Sequence, residues 1–142
     1  MPESYFDGPM TITEVGFKRA AFGSSSVTLY DFKLSLGYAG GVELGRNFHE
    51  NAASETVLAP LFAGSTVTAA DNGQGQVMFT LNEPFEYTGG NLLVDLSFSD
   101  ISGSMYLWAW DSGEKRVVTA DRISCENGNA CSVPPVVVIK GD

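Results

Sequence analysis

The chain has one histidine, two cysteines and only eight basic residues among 142, and no apolar run approaches the length of about 20 that a membrane-spanning helix needs. Each shortage removes a class of function. With 17 acidic against eight basic residues the formal charge is −9, which repels phosphate backbones and anionic lipid surfaces. Neither nucleic acid nor a membrane span is therefore expected. His49, Cys125 and Cys131 are the only soft metal donors, too few and too scattered for a zinc site, so no metal or cofactor is expected. The chain also has no Gly-x-Ser-x-Gly elbow and no His-Glu-x-x-His pair. Glu83 with Glu86, and Asp95 with Asp100, are the nearest approach to a carboxylate pair, and their spacing fits solvated side chains better than a glycosidase centre. The chain reads as a non-enzyme. Its first residues carry no leader pattern, so an exported protein is expected here in its mature form.

Amphipathic helices of ten residues or more, internal repeats and low-complexity tracts are equally missing. What remains is strand followed by turn, and the length suits one domain over residues 1–142. Strands are expected at 11–19, 27–38, 65–70, 76–81, 91–98, 104–111, 115–120, 122–125 and 135–140, with a helical turn around 47–53. In the second of these, Val27 and Leu29 set one phase while Phe32, Leu34 and Leu36 set the other, so a β-bulge is expected at Tyr30-Asp31. Turns are expected at Asp71-Asn72-Gly73, Asn82-Glu83-Pro84, Gly89-Gly90 and Asp111-Ser112-Gly113. The stretch 71–76 has the oxygen donors of a calcium loop but lacks its repeated Asp spacing and bidentate Glu, and reads as a turn. About nine short strands at this spacing predict an all-β chain, a single antiparallel β-sandwich of jelly-roll or immunoglobulin-like type.

Cys125 and Cys131 flank Asn127-Gly128 in "CENGNAC", and Asn-Gly is the strongest short hairpin signal. A disulfide across that hairpin is the expectation, contributing about 2 kcal/mol and implying an oxidising compartment.

"FTLNEPFEYTGGNLLVDLSF", residues 79–98, resembles a segment of secreted bacterial β-rich proteins of the PEP-CTERM-associated type: a strand, Pro-Phe-x-Tyr, a glycine turn, then Gly-Asn-Leu-Leu-hydrophobic-Asp. "RNFHENAASETVLAPLFAGSTV" upstream is similar to the stretch that precedes it there. The resemblance implies an extracellular or cell-surface β-rich protein and no particular activity. This chain departs from the group in lacking its Val-Pro-Glu-Pro tail, membrane span and terminal basic cluster.

Two stretches are candidates for contact with other molecules. In "SMYLWAWD" Tyr106, Trp108 and Trp110 alternate, so a strand would point all three rings one way. Burying a Trp contributes on the order of 4 kcal/mol, so Trp108, central in that strand, is expected to be mostly buried. The alternative is a carbohydrate-binding platform. In "SVPPVVVIKGD", Val136, Val137, Val138 and Ile139 are apolar on both strand faces, after two prolines that cannot donate to a ladder and so place the strand at an edge. Segments 1–15 and 133–142 are thus candidates for strand exchange with a neighbouring subunit. The expected role is a non-enzymatic extracellular structural or adhesive surface protein that self-assembles into a homopolymeric filament or matrix. The alternative is a carbohydrate-binding module whose partner is polysaccharide.

Overall fold

A computed structural model of the protein describes residues 1–41, 43–53, 58–119 and 128–142, with His49 described by its backbone alone. Among the described residues ten strands follow one another: β1 (Met10–Gly23), β2 (Ser26–Tyr38), β3 (Pro60–Ala70), β4 (Gln76–Tyr87), β5 (Leu92–Ser97), β6 (Asp100–Ser102), β7 (Met105–Leu107), β8 (Val117–Thr119), β9 (Asn129–Cys131) and β10 (Val137–Gly141). Among the described residues the only helical pieces are 3₁₀ turns at Glu3–Tyr5 and His49–Asn51, the second where a helical turn was expected.

The two long strands each organise a sheet. β1 runs antiparallel to β4 on one side and to β10, then β7, along its length. β2 runs antiparallel to β3 on one side and to β5, then β6. β8 and β9 form a separate two-stranded ribbon. The sheets face each other across one core of Ile12, Val15 and Phe17 from β1, Val77, Phe79 and Leu81 from β4, and Val27, Leu29, Phe32, Leu34 and Leu36 from β2. Phe32 of one sheet stacks on Phe79 of the other at 4.9 Å, and Phe62 closes the trio. The fold is an all-β, antiparallel sandwich, as the strand pattern predicts, with ten strands among the described residues where about nine were expected in all.

The phase change in β2 falls at Asp31, whose φ is 50°. The pairing of β2 with β3 keeps its register across that point, so residue 65 of β3 skips in step and no extra residue is inserted. The partner on the other side is broken there too: β5 ends and β6 begins around Ser99. The Ser99 hydroxyl donates to Asp31 Oδ2 at 2.6 Å and its N–H donates to Tyr30 O at 2.8 Å. A shared kink takes the place of the expected bulge.

The turn expected at Asn82-Glu83-Pro84 lies inside β4. Thr80 pairs with Glu14 and Phe85 with Ile12, so four residues of β4 bulge out opposite one of β1 while pairing resumes on either side. The edge placement of Pro84 makes the bulge compatible with its missing N–H.

The C-terminal strand begins after Pro134 and Pro135, and β10 lies at the end of its sheet. Val137 and Ile139 pair with Phe17 and Val15 and pack on the core, whereas Val138 pairs with Gly16. A Cβ on Gly16 would lie 2.1 Å from Val77 O, so only glycine fits there. Val138 is half-buried on this second face. Both faces of the strand are thus partly covered within its own chain. The N-terminal candidate segment is engaged as well, with its residues from Met10 onward in β1.

The cysteine expectation meets a different arrangement. Cys131 is a free, half-buried thiol on β9 opposite Val117, and no disulfide occurs among the described residues. Cys125 and Asn127 lie outside the described residues, as does the strand expected at 122–125.

Candidate binding face

The aromatic stretch is a strand for only three residues. β7 pairs with the far end of β1, Leu107 opposite Arg19, and the chain then leaves β1. At the departure point Trp108 N–H donates to Lys18 O at 2.9 Å, while Trp108 O accepts from Val136 N–H at 2.7 Å. Ala109 then bridges Pro135, and Trp110 N–H donates to Pro134 O. Residues 107–110 therefore lie across the junction between β1 and the approach to β10.

This position decides where the rings go. Phe17 faces the core, so its neighbour Lys18 faces outward, and Trp108, hydrogen-bonded to Lys18, faces outward with it. The expectation that Trp108 is mostly buried is overturned: it is 51% exposed, Tyr106 is 51% and Trp110 is 39%. Among the described residues no element lies over this face of β1 to cover them, and the second sheet packs against the other face.

Each ring has a neighbour. Tyr106 packs against Phe22 at 4.8 Å, and the Lys18 ammonium stands 6.0 Å from the centre of the Trp108 ring. Trp110 packs against Tyr5 at 6.1 Å, with the Arg116 guanidinium 5.8 Å from Trp110 and 5.6 Å from Tyr5. Phe22 is 62% exposed and Tyr5 48%. All five residues are thus large aromatics left 39–62% exposed, where burial would be the usual outcome for such side chains. Sequence reasoning finds the central three. It misses Phe22, Tyr5 and Arg116, which reach the row from remote parts of the chain.

Arg116 ties the row together. One of its terminal nitrogens donates to the Tyr5 hydroxyl and the other to Glu114 Oε2 at 2.8 Å; its Nε has no hydrogen-bond partner among the described residues. The Glu114 carboxylate holds the guanidinium charged, raising its pKa above the usual arginine value.

The other candidates form no site. In the 71–75 turn, Asp71 Oδ1 accepts from the Gly73 and Gly75 N–H groups and Asn72 Oδ1 from the Gln74 N–H, so the donors of the supposed calcium loop are used up inside the turn. Asp71 Oδ2 pairs with Arg19 Nε at 2.8 Å, and that hydrogen bond, with help from Gly73, holds the carboxyl below its usual range. Glu86 accepts from the Thr11 hydroxyl and Asp100 from the Ile101 N–H. No group of three metal-ligating side chains occurs among the described residues. One open cleft of about 440 Å³ lies between residues 1–10 and β10, lined by Met1, Tyr5, Phe6, Met10, Val137 and Ile139 among others.

Fold and face together define an antiparallel β-sandwich with an exposed aromatic row. No family model, no curated protein and no solved structure matches this chain.

Proposed function

We propose that this domain is a non-enzymatic, extracellular adhesive module that takes polysaccharide on the row Tyr106, Trp108 and Trp110. The observation that carries the reading is the exposure of the three alternate rings, on a face that no other element covers among the described residues. Pyranose rings present apolar C–H faces that lie flat on aromatic side chains, while their hydroxyls need donors and acceptors at the rim. Lys18, Asp111 and Glu114 supply such groups along the row. The extracellular setting is supported by the resemblance of residues 79–98 to secreted bacterial chains.

Self-assembly by strand donation has less behind it, because both candidate segments are engaged in the chain's own sheet. The binding reading is tested by titrating soluble glucans, xylan and chitin oligomers while following tryptophan emission. A saturable shift at sub-millimolar concentration that Trp108→Ala abolishes supports it. Silence across the panel refutes it.

A further inference from the structure

The row does not end at Trp110. Tyr5 comes from a different part of the chain, yet its ring sits 6.1 Å from that of Trp110 and is nearly half exposed. It is held there by a segment pinned at several points. The Met1 amine donates to Leu92 O at 2.6 Å and Leu92 N–H returns a bond to Met1 O at 2.8 Å. Glu3 N–H donates to Asn91 Oδ1 at 3.1 Å, and Phe6 stacks on the buried Tyr87 at 4.2 Å. Arg116 then donates to the Tyr5 hydroxyl while lying against both the Tyr5 and Trp110 rings. A ring restrained in this way meets a ligand without first losing much rotamer freedom, which favours its use in binding.

We infer that residues 1–6 form part of the binding face, with Tyr5 as a specificity-determining ring for longer saccharides and Arg116 as the residue that positions it. This inference rests on the polysaccharide reading above. Arg116 donates to the Tyr5 hydroxyl and to Glu114 from its two terminal nitrogens while lying against the Tyr5 and Trp110 rings, and this bracing is the positioning role assigned to it. Tyr5 adds a ring from the N-terminal segment next to Trp110.

The test uses the full chain and three hexasaccharides, cellohexaose, xylohexaose and chitohexaose, read by tryptophan emission and calorimetry. Tyr5→Ala is expected to weaken the hexasaccharide that wild type binds best by roughly three- to tenfold, the range for one aromatic contact, and Tyr5→Trp to restore it. Arg116→Lys is expected to weaken binding to a similar degree, with no further loss when combined with Tyr5→Ala, because both changes act through the same ring. Unchanged thermal stability in Tyr5→Ala excludes a general loss of fold. If Tyr5→Ala binds as wild type does while Trp108→Ala does not, the inference is overturned and the polysaccharide reading stands. If the two losses add in full, the positioning role of Arg116 is overturned. Failure of wild type to bind any of the three overturns both.

Discussion

Two groups of aromatic rings in this protein have similar spacing and opposite surroundings. Phe32, Phe62 and Phe79 meet at 4.9 to 5.8 Å between the sheets, with Phe32 and Phe79 almost fully buried. Tyr5, Phe22, Tyr106 and Trp110 meet in pairs at 4.8 and 6.1 Å and remain in water. Ring-to-ring distance therefore says little about role. What separates the groups is the second layer: the first lies between two sheets, and the second has no second sheet over it among the described residues. The first group should hold the fold together and the second should be dispensable for folding.

The largest expected effect breaks the first group. Phe32→Ala removes the ring that stacks on Phe79 and should cost about 3–5 kcal/mol, read by urea or thermal unfolding. A loss under about 1 kcal/mol would mean the two groups do not differ as argued.

The next concerns the N-terminal segment, which links core and row. Burial pushes the Met1 amine down to about 6 from its ordinary 8.0, and the Arg116 charge adds to the shift. The unfolded chain binds more protons than the folded one between those values, so stability rises with pH through that window. The contribution is fully present above pH 8 and is lost as pH falls through about 6. Two units correspond to at most about 2.7 kcal/mol, and about 1–2 kcal/mol after allowing for partial exposure. Acetylating the amine should flatten this slope, and an unchanged slope would assign it elsewhere.

Much of this division was legible in the residues, and the reasons it was incomplete are physical. Alternation located β1 and β2, a β-branched run after two prolines located β10, and the opposed phases of Val27 and Phe32 located the break at Asp31. Local pattern cannot show whether a neighbouring strand skips in step, so a shared kink reads as a bulge. Likewise, Asn82-Glu83-Pro84 has turn chemistry, and only pairing with β1 on both sides makes it part of one long strand. The aromatic row was visible as alternation, but its direction depends on Trp108 lying beside Lys18, a contact between positions far apart in the chain. Transfer energetics favour burial of a Trp, and among the described residues the topology places no second layer over it. Tyr5 and Arg116 had no local signal at all.

A smaller effect sharpens the boundary between the groups. Tyr87 is buried, and its hydroxyl donates to Gly90 O at 2.6 Å, closing the turn between β4 and β5. Tyr87→Phe should cost about 1 kcal/mol, seen as a lower unfolding midpoint with unchanged saccharide response. The smallest stability effect belongs to the row itself: Trp108→Ala should change unfolding by about 0.5 kcal/mol or less, since the ring is half in water already.

The central claim is that the row is an open face that saccharide covers. The most direct measurement is acrylamide quenching of tryptophan emission in the native protein, with and without the saccharide that it binds best. Red-shifted, readily quenched emission that becomes blue-shifted and protected on saturation is the result this account predicts. Emission already blue-shifted and protected in the free protein, or open emission that no saccharide in the panel protects, would contradict it.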